Sequence, residues 1–158
     1  MGVWSDCGNF FREFRRDFHH TGAVLPSGGF LAAELSRGLA ADLPPVRILE
    51  VGPGTGSVTR AIAKRMRPGD RLDAVEINPR FAELLTARLQ SAPALSPHRE
   101  RITVINAPLQ EVPGEAVYDL LVSGLPLNNF SPADVRSIFD AYRRLLGALM
   151  RSLANPLV

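Results

Sequence analysis

From residue 46 onward, short apolar runs alternate with stripes of apolar residues at helical spacing. VRILEVG (46–52) reads as a buried strand, and Val58 to Met66 as a helix. PGD (68–70) is a turn. RLDAVEI (71–77) predicts a second strand, and Pro79 to Gln90 a helix that carries proline in its first turn. Residues 91–100 are polar and contain proline, which predicts a loop. ITVINA (102–107) and YDLLVSG (118–124) predict two more strands. SPAD (131–134) is a capping box with proline at N1, opening a helix through Ile138, Tyr142, Leu145 and Leu149. Strands that alternate with helices predict an α/β domain built on a doubly wound parallel sheet.

Ahead of this alternation the pattern differs. In NFFREFRRDFHH (9–20), Phe10, Phe11, Phe14 and Phe18 fall on one helical face, with Arg12, Arg15 and Arg16 interleaved. TGAVLPSGG follows as a loop, then a second helix over Gly28 to Ala41, with Ser27 as its cap; Asp42 to Pro45 break it. The organisation expected is an N-terminal helical segment over 1–45 and a sheet domain over 46–158, packed as one structural domain.

Composition narrows the class. The chain has 158 residues, 46% hydrophobic and 22% charged, as a single globular domain does. A net charge of +2 is too small to argue for nucleic acid. Cys7 stands alone, which rules out an intramolecular disulfide and a Cys-rich zinc site, and no metal is expected. No apolar run approaches the roughly 18 residues of a spanning helix, and the N-terminus lacks an apolar h-region. The expectation is a cytoplasmic protein, touching a membrane peripherally at its inner face if at all.

The chemistry concentrates at LEVGPGTGSVTRAI. Its glycines, Gly52, Gly54 and Gly56, follow G-x-G-x-G and not the G-x-G-x-x-G of dinucleotide binders. No Lys-Ser or Lys-Thr follows, so this is not a P-loop. The turn lets a ligand lie against bare backbone. Glu50 just before it would repel a pyrophosphate and suits a cationic or amino-bearing ligand. Glu76 stands 24 residues after Gly52, at the end of the second predicted strand, where a carboxylate accepts ribose hydroxyls. The two motifs ask for a nucleoside with a ribose, no pyrophosphate and a cationic tail; S-adenosylmethionine meets that description.

LEVGPGTGSVTRAI followed by LDAVEINPRFAELL resembles the first two motifs of the class I S-adenosylmethionine-dependent methyltransferases. The resemblance implies a Rossmann-like fold. It places Glu50, Gly52, Gly54 and Gly56 around the methionine part of the cofactor, Glu76 on the ribose and Ile77 on the adenine. Members often carry an acidic residue after the third strand for the adenine amine. Here the segment is INAPLQEV, with Pro108 at that place, and the contact moves to backbone near Ala107 and Leu109. Ser123, closing the fourth predicted strand, joins the cofactor-side residues.

VSGLPLNNFSPADVRSIF (122–139) bears on the acceptor. Amino-directed methyltransferases of nucleic acids carry Asn-x-Pro-aromatic here, which grips the target nitrogen and stacks on the flipped base. This chain has Gly124-Leu125-Pro126-Leu127, and Leu127 cannot stack as an aromatic ring does. The segment, together with FFREFRRDFHHTGAVLPSGG, is similar to the bacterial phospholipid N-methyltransferase family, over roughly residues 10 to 146. That resemblance implies methylation of phosphatidylethanolamine-type head groups and does not favour nucleic acid. A Phe–Arg helix can lie in a bilayer interface, or fold onto the domain as a lid. Over residues 10–20 the charge is only +1, three arginines less Glu13 and Asp17, so electrostatic anchoring is modest.

The reaction is attack of a neutral amine on a sulfonium methyl group. His19, His20 and Tyr118 are candidates to take up the amine proton; the histidine pair also suits a helix C-cap. Asn128 and Asn129 are placed to orient a head group or to hold their own loop. The resemblance implies a seven-stranded sheet, whereas four strands are legible and GALMRSLANPLV contains no credible fifth. The C-terminal strands of the fold are expected to be missing, which leaves the fourth strand as an edge that self-association would cover. The alternatives are methylation of a ribosomal RNA adenine or a small-molecule amine, and a non-catalytic module that binds cofactor or membrane.

Overall fold

The computed structural model describes residues 44–147. The Phe–Arg segment, including Phe10, Phe11, Phe14, Arg12, Arg15, Arg16, His19 and His20, lies outside the described residues, as does everything after Gly147.

The described chain forms one parallel sheet of four strands in the order β3-β2-β1-β4. They are β1 (Arg47–Val51), β2 (Arg71–Val75), β3 (Ile102–Ile105) and β4 (Leu120–Ser123). The central β1 pairs with β2 from Arg47↔Arg71 to Val51↔Val75, and with β4 from Ile48↔Leu120 to Val51↔Ser123. It is buried on both faces from Ile48 onward, which explains its unbroken apolar run.

Side chains alternate across the sheet and feed two cores. On one face Ile48, Leu72 and Ala74 pack with Ile62, Leu85, Leu89 and Ile102. Here lie helices α1 (Ser57–Ala63) and α2 (Pro79–Ser91). On the other, Leu49, Val51 and Val75 pack with Tyr118, Ile138, Tyr142 and Leu145. The last three belong to helix α3 (Pro132–Leu145).

Caps set the helix starts. Asn78 accepts from the Arg80 amide (3.0 Å) ahead of Pro79. Ser131 accepts from the Asp134 amide (3.2 Å), and its hydroxyl donates back to the Asp134 carboxylate (2.6 Å). This is the predicted capping box, with aspartate at N3.

Several boundaries differ from the sequence expectation. The second and third strands end at Val75 and Ile105. The residues expected to extend them instead form loops over the sheet's C-terminal edge. The loop over 91–100 contains a 3-10 turn, Ser96–Arg101. Helix α3 stops at Leu145, because Leu146 turns extended and forms a parallel bridge with Tyr118. The Gly147 amide donates to the Tyr118 carbonyl (2.8 Å). The chain therefore begins to return along the outer side of β4, which no pattern in the tail predicts.

Candidate active site

In a parallel doubly wound sheet, loops at the C-terminal ends of the strands diverge where the strand order reverses, and the gap they leave receives ligands. Here the reversal lies between β1 and β4. β1 ends in the glycine turn, where Gly52, Gly54 and Gly56 all have positive φ (70°, 56° and 82°). The turn is tied down on three sides. The Gly52 amide donates to the Val75 carbonyl (2.9 Å). The Gly54 amide donates to Glu76 Oε2 (3.0 Å). Arg88 of α2 donates to the Thr55 carbonyl.

The carboxylate of Glu76 also accepts from the Asn78 amide (2.9 Å). Glu76 has no exposed surface and forms the floor of the gap. Its carbonyl accepts from the Asn106 side-chain amide (2.7 Å), which joins the ends of β2 and β3.

Above this floor a cleft opens. Ile77, Ala107, Pro108 and Leu109 wall one side, and Leu125, Phe130 and Ile138 the other. The polar side chains on its lining are Glu76, Gln110 and Asp134. An apolar slot with a carboxylate at one end suits a flat heterocycle carrying a ribose.

The glycines do different work. Gly52 lies under Leu125; a Cβ there would come within 2.9 Å of Leu125 Cδ2. At Gly56 a Cβ would come within 2.7 Å of Leu85 Cδ1, so this residue serves helix packing. Gly124, just beyond β4, approaches the glycine turn itself. A Cβ at position 124 would stand 2.8 Å from the Gly52 carbonyl oxygen, a backbone atom that cannot swing aside.

The structure thus brings Gly52, Gly54, Glu76, Ile77, Ala107 and Leu109 to one place. Glu50 lies in β1 just short of the turn and is 1% exposed. Ser123 closes β4 outside the cleft lining, and its hydroxyl oxygen accepts from Tyr142 (2.7 Å) and the Leu125 amide (3.3 Å). Burial pushes the Tyr142 hydroxyl above the usual phenol range against the opposing bond to Ser123. Asn128 and Asn129 are exposed on the 3-10 turn after β4.

Tyr118 is a correction. It precedes β4, at the opposite end of the sheet from the cleft, and is 2% exposed. Its hydroxyl donates to Asp73 Oδ2 (2.9 Å), and the Arg47 guanidinium lies 5.1 Å from its ring centre. Burial, with the bond to Asp73, pushes its hydroxyl up to about 12. A phenol so placed holds the sheet together and takes no proton from a substrate. Leu125, Phe130, Asp134, Ile138 and Gln110 are cleft residues that the sequence does not single out. The capping pair Ser131–Asp134 is a visible motif, but nothing local says that its aspartate also lines the cleft.

A glycine turn, a buried carboxylate and an apolar slot at the C-terminal edge of a parallel sheet are the features of this doubly wound domain. Residues 48–148 match the family described as "Methyltransferase domain", and the chain belongs to that family. The cofactor of such a domain is S-adenosylmethionine, and the residues present fit it: backbone at Gly52 and Gly54, the Glu76 acceptor and the walls at Ile77 and Ala107.

Among relatives, an ornithine lipid N-methyltransferase of Singulisphaera acidiphila is 29% identical over 87% of this chain and 72% of its own length. A tRNA1(Val) (adenine(37)-N6)-methyltransferase of Aeromonas hydrophila is 35% identical over 75% of this chain and 47% of its own. Among solved structures, 1,6-didemethyltoxoflavin-N1-methyltransferase of Burkholderia thailandensis superimposes with a TM-score of 0.61 at 22% identity. That alignment covers 90% of this chain and 56% of the other. The chain therefore spans about half the length of the tRNA enzyme and of this structural neighbour.

Proposed function

We propose that the chain is an S-adenosylmethionine-dependent N-methyltransferase acting on lipid head-group amines, of the phosphatidylethanolamine or aminolipid kind. The observation that carries this reading is the contact between Gly124 and Gly52. Position 124 is where amino-directed methyltransferases of nucleic acids keep an asparagine. Here any side chain would meet the Gly52 carbonyl at 2.8 Å. The amine-gripping group is thus excluded by packing, and Leu127 offers no aromatic face to a base. Likeness to a lipid N-methyltransferase over most of the chain supports the same reading.

When bound, the cofactor supplies an electrophilic methyl group on a sulfonium. The chain's contribution is holding and excluding. Glu76 takes the ribose hydroxyls, which add to or replace its bond to Gly54. Glu50 puts negative charge one residue ahead of the turn. Leu125 and Phe130 give the cleft an apolar wall that suits acyl-chain neighbours and keeps water out. Asn128 and Asn129 orient the head group, and His20, outside the described residues, remains the candidate to accept the amine proton. The Phe10, Phe11, Phe14, Arg12, Arg15 and Arg16 segment makes the peripheral membrane contact.

The test is transfer of labelled methyl from S-adenosylmethionine to vesicles containing phosphatidylethanolamine or ornithine lipid, beside a transfer RNA arm. Label in lipid supports the proposal. Label in RNA with none in lipid overturns it in favour of a nucleic-acid amine. Cofactor binding without transfer to any acceptor returns the chain to a non-catalytic binding module.

A further inference from the structure

The hydroxyl pair of Tyr142 and Ser123 has no role so far. β4 ends at Ser123, in register with Val51. The Gly124 amide still donates to the Val51 carbonyl (2.8 Å), and there the ladder stops. Beyond it the chain turns on itself. The Leu127 amide donates to the Leu125 carbonyl (3.0 Å), the Asn129 amide to the Pro126 carbonyl (3.0 Å) and the Phe130 amide to the Leu127 carbonyl (3.2 Å). The start of this loop is tied back to the strand by the bond from the Leu125 amide to Ser123 Oγ (3.3 Å). Ser123 is exposed, and Tyr142 sets its rotamer by donating to Oγ at 2.7 Å. Tyr142 is 6% exposed, one helical turn beyond the cleft residue Ile138, and its ring meets Phe139 edge-on (5.6 Å, 71°). Burial raises its hydroxyl above the ordinary phenol range, so it stays protonated and is the donor of the pair. The opposite wall is anchored by other residues of α3. Ser137 Oγ accepts from Gln110 Nε2 (3.0 Å), and Arg144 Nη2 donates to the Gln110 and Val112 carbonyls (3.1 and 2.9 Å).

We propose that Tyr142 and Ser123 are positioning residues for methyl transfer: through the Leu125 amide they hold residues 124–130 against the glycine turn and so set the acceptor wall, without holding the cofactor. The inference rests on the methyltransferase reading of the cleft, with the loop after β4 as its acceptor side. Leu125 carries the effect, because its Cδ2 lies 2.9 Å from where a Cβ on Gly52 would stand. A loop released at Leu125 shifts that contact and the Asn128–Asn129 turn together. Misplacement of a reacting group by about 1 Å costs about a hundredfold in rate. The cofactor side keeps its own ties, from the Gly52 amide to the Val75 carbonyl and from the Gly54 and Asn78 amides to Glu76. Cofactor affinity is therefore spared.

The experiment compares the full chain with its Tyr142→Phe, Ser123→Ala and Ser123→Thr variants. It reads backbone amide exchange at Leu125 by NMR, affinity for S-adenosylhomocysteine by calorimetry, and labelled methyl transfer to vesicles containing phosphatidylethanolamine. In Tyr142→Phe and Ser123→Ala the Leu125 amide should exchange about fivefold faster, as loss of one hydrogen bond predicts. The double variant should exchange no faster than Ser123→Ala, because Tyr142 acts through Ser123. Ser123→Thr keeps the hydroxyl and should return towards the wild-type rate. Turnover should fall about tenfold in Tyr142→Phe and Ser123→Ala, while affinity changes by less than about threefold. Thermal melts confirm that each variant is folded. A wild-type exchange rate at Leu125 in folded Tyr142→Phe and Ser123→Ala overturns the proposal. So does a loss of affinity as large as the loss of turnover. A wild type that binds S-adenosylhomocysteine and methylates no vesicle overturns the lipid reading alone, and the Leu125 exchange rates then decide the positioning role.

Discussion

Just before and within β2, Asp70 and Asp73 are bonded to arginine side chains; just after it, at the C-terminal edge of the sheet, Glu76 is bonded to the backbone amides of Gly54 and Asn78. All three acids are buried. Asp70 accepts from Arg67 Nε (3.1 Å) and Nη2 (3.0 Å), and from the Arg67 and Val46 amides (2.7 and 2.9 Å). Asp73 pairs with Arg47 (2.8 Å) and takes the Tyr118 hydroxyl. These acids tie loops to the sheet with their charge matched inside the protein. The Glu76 carboxylate accepts from the backbone amides of Gly54 and Asn78 in the cleft floor. The difference is one of place: Asp70 and Asp73 bond arginine side chains away from the cleft, whereas Glu76 lies in the cleft lining.

The widest effect should come at the structural end. Asp70→Ala removes the buried acceptor for the Arg67 guanidinium and for the Arg67 and Val46 amides, and should cost about 3–5 kcal/mol in stability, read by denaturant unfolding. Cofactor affinity of the folded protein should not change. Burial opposes ionisation of Asp70, but the bonds from Arg67 and Val46 outweigh it and hold its pKa below the ordinary value. Its stabilisation is therefore complete above the unfolded carboxylate range and is lost as pH falls through the lowered folded value. In an acid titration the variant should lack that component.

Next comes Glu76→Ala, expected to lower S-adenosylmethionine affinity by about thirtyfold or more, in keeping with loss of hydrogen bonds to a charged acceptor. Unfolding should change less than for Asp70→Ala. An affinity loss under threefold, measured by calorimetry, would break the contrast between the two ends.

Tyr118→Phe should cost about 1–2 kcal/mol near neutrality, with cofactor affinity untouched. Because the folded hydroxyl sits at about 12 against an ordinary 10, the wild type keeps this contribution below pH 10 and loses it as pH rises through about 12. The variant should unfold with a flatter dependence over that window. Smallest of all is Arg143→Ala on the exposed face of α3, where the pair with Asp140 has side chains 78% and 70% exposed. It should change stability by less than about 0.5 kcal/mol.

Much of this architecture is visible in the chain itself, and the reason is locality. The runs RILEV and RLDAV are strands because a central parallel strand must be apolar on both faces, and SPAD starts a helix because its cap is four consecutive residues. Glu76 and the glycine turn are legible together because 24 residues is the span of one strand–helix–strand passage. What is hidden depends on side chains meeting across elements. Gln110 faces the cleft because Ser137 and Arg144 of a later helix hold it there. Tyr118 is by type a candidate to take up the amine proton, but it precedes β4 at the end of the sheet away from the cleft. The bridge from Leu146 to Tyr118 depends on where α3 ends, which its apolar spacing through Leu149 does not announce.

The approach of Gly124 to Gly52 has a consequence for how this cleft can change over generations. A single substitution at 124 meets an immovable carbonyl, so a descendant acquiring asparagine there gains nothing until the glycine turn shifts. A shift of the turn alone disturbs the seat of the nucleoside. The two positions therefore constrain one another's histories. Position 124 is thus coupled to the placement of the Gly52 carbonyl, and the cleft is easier to vary through its rim at Leu125 and Phe130.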